Sequence, residues 1–164
     1  PLPEAELDRL LMEVNVSYPD AEAETRILKL ARREASGTTP APPQPLTQEA
    51  VFKARQAVLS VHMAEAVEAY IVQLVIATRE PGAYDNELSD WLEFGASPRA
   101  TIALDRCARA NAYLHGRDYV SPDDVQAVVT DCLKHRLILS FEAEAAGVTR
   151  AQVINRLLET VAVG

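Results

Sequence analysis

GASPRATIALDRCARANAYLHGRDYVSPDDVQAVVTDCLKHRL, residues 95–137, is the stretch on which the reading of this chain turns, because two helices and their boundaries are written in it. Each helix opens on Ser-Pro, at Ser97-Pro98 and again at Ser121-Pro122. A serine at the cap accepts a hydrogen bond from a first-turn amide, and a proline at the first helical position lacks only an N–H that the helix leaves unused. The first helix runs to His115, where Gly116 stops it. In the second, Asp123 and Asp124 sit at the positive end of the helix dipole, which stabilises an acid by about 0.3–1 kcal/mol. Val125, Val128, Val129, Cys132 and Leu133 then recur at helical spacing, and the helix ends near Leu137.

Downstream, 138–141 reads as a short extended piece, and Thr149 with Gln152 has capping-box spacing for a last helix that carries Val153, Ile154, Leu157 and Leu158. Upstream, 80–95 contains Pro81, Gly82, Asp85, Asn86 and the sole tryptophan, Trp91, and reads as a long loop. Before it, 61–79 places Met63, Val67, Tyr70, Ile71, Leu74 and Val75 on one helical face, and Thr47 caps a helix reaching about Leu59. Four prolines within 38–45 rule out regular helix and read as a linker or surface loop. Asp20 caps a helix through about Ala35 with the apolar stripe Ile27, Leu28, Leu30 and Ala31, ended by Gly37. Val14-Asn15-Val16 alternates as a strand does but is too short to stand alone, and 3–12 reads as a short helix.

With 164 residues, 48% of them hydrophobic and 24% charged, the chain is long enough for one ordinary domain. A net charge of −8 disfavours nucleic acid as the main partner, and aromatic residues at 5% do not interleave with basic clusters to make a stacking platform. No apolar run reaches the roughly 18 residues of a membrane span, so a cytoplasmic protein is expected. Cys107 and Cys132 each fall on the apolar side of a helix, without metal-ligand spacing, and read as structural thiols. The opening at Pro1, with neither initiator methionine nor leader, reads as an excised fragment.

For chemistry the sequence is mostly negative. It has no G-x-x-x-x-G-K-[ST] loop, no acidic strand end for magnesium, and no HExxH or CxxC pair, so these residues by themselves are not expected to hydrolyse ATP or hold a metal. His62, His115 and His135 are scattered, with no nucleophile beside them. Arg99 stands apart because it occupies the first turn of a capped helix, where the dipole disfavours a cation. Either it reaches outward to an anion or it pairs with a neighbouring acid, and position alone leaves both readings open. Arg117-Asp118-Tyr119 and Lys134-His135-Arg136 are explained by loop-positioning ion pairs and by cations at a helix end.

PLPEAELDR, YPDAEAE, ATRE, GASPRA, LHGRDYVSPDDV and LKHRLIL occur in an order and at a spacing that resembles the MoxR family of AAA+ ATPases. The likeness is densest over 95–137. It implies a mainly α fold: the helical AAA+ lid over 47–164, preceded by a connecting helix and proline-rich loop over 20–46 and by the last helix and short strand of an α/β core over 1–19. In such proteins the motif resembling GASPRA lies at the nucleotide, so that Ser97 and Pro98 present Arg99 as the sensor 2 arginine, directed at the γ-phosphate of ATP in the same subunit. The segment resembling LPEAELDR implies that Arg9 is an arginine finger reaching the neighbouring subunit's nucleotide. The phosphate loop and the acidic motif of the family are absent, so ATP and Mg2+ belong to a longer parent chain and none is expected to bind tightly here. The resemblance also implies neighbouring AAA+ subunits in a ring, commonly hexameric, von Willebrand factor A-domain partners, and chaperone-like maturation of, or metal insertion into, other proteins. The competing reading is a stand-alone helical protein-interaction module without nucleotide chemistry.

Overall fold

A computed structural model describes residues 3–37 and 44–163; most of the proline-rich stretch, 38–43, lies outside the described residues. Two compact units share the chain: 3–13 together with 53–163, and, separately, 14–52. The larger unit is a helical bundle. Its core helices are α4 (Glu65–Arg79), α6 (Pro98–Leu114), α7 (Pro122–Leu133) and α9 (Arg150–Thr160), with α1 (Glu4–Leu7), α5 (Asn86–Trp91) and α8 (Phe141–Ala145) at its margins. α2 (Ala21–Ala35) belongs to the smaller unit, and α3 (Gln48–Ser60) begins there and ends in the larger.

The core forms where the apolar spacing placed it. Ile71, Leu74 and Val75 of α4, Leu104 of α6, Val125, Val129 and Leu133 of α7, and Val153, Ile154 and Leu157 of α9 are all buried. Along α6 the buried residues are mostly small, Ala100, Ala103, Cys107, Ala108 and Ala112, which lets α7 approach closely and makes this the most extensive helix pair. Truncating Leu104 or Leu133 there costs about 2–5 kcal/mol through lost burial and an unfilled cavity.

Capping follows the sequence closely. The Ser121 hydroxyl and the Asp124 carboxylate close a capping box on α7, as Thr149 and Gln152 do on α9. Asp20 Oδ1 accepts from Ala23 N at 2.7 Å to begin α2, which Gly37, at φ +77°, terminates. None of the residues of α2 is buried, its apolar stripe included.

Several expectations are corrected. The stretch 80–95 is not a long loop: it holds a 3-10 turn (Pro81–Ala83), α5, and strand β1 (Leu92–Phe94). The signal was Asp85, whose Oδ1 caps α5 by accepting from Leu88 N at 2.9 Å, while Leu88 enters the core. β1 pairs antiparallel with β2 (Ile138–Leu139), Leu92 opposite Leu139 and Phe94 opposite Ile138. The extended piece therefore ends earlier than expected, because Ser140 caps α8 from Phe141 onward. α4 starts at Glu65 rather than near Val61, since the backbone of His62 is taken by Asp118 and Val120 in a parallel bridge. α7 stops at Leu133 and tightens into a 3-10 turn, Lys134–Arg136. Val14–Val16, expected to need a sheet to pair with rather than to stand alone, has no ladder partner among the described residues.

Candidate functional site

The loop before α6 is fixed from beneath by the end of α4. Ala96 N donates to Thr78 Oγ1 at 2.9 Å, Arg79 Nε donates to Ala96 O at 2.6 Å, and Thr78 Oγ1 donates in turn to Val75 O at 2.7 Å. Gly95 permits this approach, since a Cβ there would lie 2.7 Å from Arg79 N and closer still to the Thr78 carbonyl. Ser97 Oγ accepts from Arg99 N at 3.2 Å, Pro98 occupies the first helical position, and Arg99 projects from the first turn with 58% of its side chain exposed.

A second element reaches the same place. The segment 3–13 is held against the end of α7 by Glu13 N, which donates to Asp131 O at 2.9 Å, and above all by Arg136. That side chain is only 2% exposed, and its guanidinium donates to Asp8 O, Leu10 O, Leu11 O and Cys132 O as well as to Asp8 Oδ1, the last at 3.3 Å. Five donors meet five acceptors, which is how a buried guanidinium is made tolerable.

Asp8 links the two elements. Its Oδ2 accepts from Arg99 Nη1 at 2.8 Å, and Ser97 Oγ lies 2.8 and 2.9 Å from its two oxygens as donor. Burial by itself raises the Asp8 pKa, but hydrogen bonds from Arg99 and Ser97 and the charges of Arg136 and Arg99 outweigh it and hold the carboxyl below its ordinary value. Next door, burial and the charge of Arg136 push the His135 pKa down.

Around these groups lies a cavity of about 240 Å3 lined by Arg9, Arg99, Arg106 and Arg136, by Asp8, and by Leu10, Leu11, Ile102 and Ala103. Four guanidinium groups against one carboxylate give it a formal charge of +3 on a chain whose net charge is −8. Planar guanidinium forks of this kind match the oxygens of phosphate or carboxylate, a chemistry that suits the cavity to an anion. Among the described residues no group of three or more His, Cys, Asp and Glu could hold a metal ion.

Each residue singled out in the sequence has a definite place. Arg9 and Arg99, which the family resemblance directs at two different nucleotides, line one cavity. Ser97 stands at its edge with its hydroxyl engaged by Asp8, and Pro98 shapes the turn. Arg99 has found an acid, but one ninety-one positions away in sequence. Arg9 makes no ion pair among the described residues, although Glu6 and Asp8 are its sequence neighbours. Arg117 behaves as a loop-positioning group: its two terminal nitrogens each reach the Asp124 carboxylate at 2.5 Å, and Asn111 and Ser121 complete the shell. Trp91 packs partly buried against the core.

Sequence reasoning did not single out Asp8 or Arg106, and it read Arg136 only as a cation at a helix end. Arg106 had a usable signal, since a spacing of seven from Arg99 returns to the same helix face. Asp8 and Arg136 had none, because their contacts join the two ends of the chain.

Comparison with known proteins bears on the fold and the family. The profile described as "AAA lid domain" matches residues 88–157, which span α5 to α9. Chaperone MoxR1 of Mycobacterium tuberculosis is 39% identical over 163 residues, 99% of this chain and 42% of that protein. The uncharacterised protein YeaC of Bacillus subtilis is 34% identical over 163 residues, 99% of this chain and 48% of its own length. A crystallised protein of Cytophaga hutchinsonii, described as a candidate ATPase, superimposes with a TM-score of 0.93 at 38% identity over all of this chain and 49% of its own. The chain thus spans about half the length of the curated relatives it matches. On the order of its motifs, the fold of its lid and these relatives, the chain belongs to the MoxR family of AAA+ proteins.

Proposed function

We propose that this chain is the lid portion of a MoxR-type ATPase, and that Arg9 and Arg99 act together on the phosphate tail of one ATP at a boundary between subunits of a ring, hexameric in the assembled protein. The observation that carries this reading is the convergence of the two arginines, from segments far apart in the sequence, on one cationic cavity. ATP hydrolysis spreads negative charge over the γ-phosphoryl oxygens, and a guanidinium placed there stabilises that charge more than it stabilises the ground state. Arg9, in the role of a finger, is exposed and free to reach across a boundary; Arg99, in the role of sensor, is fixed at its Cα by Ser97, Gly95 and the end of α4.

No group of three or more His, Cys, Asp and Glu among the described residues could hold Mg2+, and in this reading the phosphate loop and the acidic motif belong to a longer parent chain. What this chain supplies is the cationic half of the site. In the whole protein, closure of the lid on nucleotide and its relaxation afterwards drive chaperone-like maturation of, or metal insertion into, client proteins with von Willebrand factor A-domain partners, in the cytoplasm. The name of the relative MoxR1, a chaperone, supports the client-directed part of this reading. No described helix is long and apolar enough to cross a membrane.

The test is turnover of the full-length ATPase. Arg99→Ala is expected to leave the assembly folded and to lower ATP turnover at least about tenfold, since a cation of this type contributes up to 10³–10⁵ in related NTPases. Near-normal turnover in that variant would reject the role of Arg99.

A further inference from the structure

Three donors meet at the Asp8 carboxylate: Arg99 Nη1 at 2.8 Å, Ser97 Oγ at 2.8 and 2.9 Å, and Arg136 Nε at 3.3 Å. They come from the start of α6 and from the turn after α7, and they surround a pair of oxygens as they would surround the oxygens of a phosphoryl group. Asp8 is only 20% exposed, whereas Arg99, its partner, is 58% exposed and opens toward the cavity. A ligand oxygen approaching Arg99 therefore finds its best hydrogen-bonding position already taken.

We infer that Asp8 is a positioning residue that competes with phosphate: its carboxylate holds Arg99 and Ser97 in place, and a phosphoryl group binds by displacing it from them. The inference rests on the assignment of the cavity to a phosphate tail and adds to it the group that sets the affinity. The displaced carboxylate keeps a cationic neighbour, Arg136, whose Nε lies 3.3 Å from its Oδ1. The backbone of Asp8 stays where it is, because Arg136 binds the carbonyls of Asp8, Leu10 and Leu11 rather than depending on the side chain. Exchange is thus confined to one side chain and costs no unfolding of the segment that carries Arg9. An anion of low charge gains too little from Arg99 to evict a carboxylate, while a polyphosphate with several anionic oxygens gains from three arginines at once, so Asp8 also discriminates among anions.

A residue that merely supported the fold would weaken anion binding when altered; a competitor must strengthen it. The 164-residue chain, titrated calorimetrically with sodium tripolyphosphate at low ionic strength, separates the two. Asp8→Asn is expected to bind about two- to fivefold more tightly than the wild type, the range that loss of an opposing ion pair gives. Asp8→Glu restores wild-type affinity, Arg99→Gln loses binding, and adding Asp8→Asn to Arg99→Gln recovers nothing. In the wild-type chain the ¹³Cγ resonance of Asp8 moves with the same midpoint as binding, a measurement that needs no variant to fold. Equal or weaker binding by Asp8→Asn, or a stationary Asp8 resonance, with Arg99→Gln still losing binding, overturns the competition and leaves the phosphate site standing. Undiminished binding by Arg99→Gln, or no binding by either the wild type or Asp8→Asn, overturns both.

Discussion

At the scale of single residues, the site depends on one atom that is absent. Gly95 has no Cβ, and only for that reason do the Thr78 carbonyl and Arg79 N reach the backbone beneath Arg99. Gly95→Ala must push the loop away from α4, straining the Ala96 N to Thr78 Oγ1 bond and the Arg79 Nε to Ala96 O bond together. The expected loss is about 1–3 kcal/mol in urea unfolding, the usual cost of overpacking a close contact. An unchanged midpoint would mean that the loop is not held as tightly as these distances require. The arginines show the opposite economy: Arg136 is buried and saturated with acceptors, so it builds the site, while Arg9 and Arg106 remain open to a ligand.

At the scale of elements, the α6–α7 hairpin is closed by Asp124, which is 1% exposed and ligated by Arg117, Asn111 and Ser121. Burial pulls its pKa upward, but the hydrogen bonds from Arg117, Ser121 and Asn111 prevail and push it far below the usual carboxylate range. A carboxyl whose folded pKa is depressed stabilises the fold fully above its unfolded pKa of about 3.9, and that stability is lost progressively as pH falls below it toward the folded value. The urea midpoint should therefore drop on going from pH 5 to pH 3. In Asp124→Asn the midpoint at pH 6 is lower and the drop is smaller; an identical pH dependence in the variant would show that Asp124 does not carry it. The same hairpin presents Arg99 and Arg136 together at its open end, where both donate to the Asp8 carboxylate.

At the scale of the whole molecule, the proposed function has a consequence for the proposed ring, since a single cavity lined by Arg9 and Arg99 would offer both arginines to the same nucleotide across a subunit boundary. In rings that mix full-length Arg9→Ala subunits with subunits whose phosphate loop is inactivated, turnover is expected to return in part, because the inactive subunits lend intact arginines to active nucleotide sites. Rings mixed in the same way with Arg99→Ala subunits are expected to recover equally. Recovery with Arg9→Ala alone would assign Arg99 to its own subunit's ATP and would separate the two roles.

The helices and their ends were legible in the sequence because their causes are local: Ser-Pro starts, the Thr149 and Gln152 box, the stops at Gly37 and Gly116, and apolar residues at a spacing of three and four. α5 was missed, although Asp85 marked its cap, because six residues carry too little periodicity to outweigh Pro81 and Gly82. Arg9 and Arg99 stood out through family resemblance, and Arg99 also through its place in a first turn. That these two arginines share one cavity, that Asp8 stands between them, and that Arg136 binds residues more than 120 positions away were decided only by the tertiary structure. Local spacing fixes which residues lie on one helix face, whereas pairing the two ends of a chain depends on how the packed core brings them together, and no short-range pattern records it.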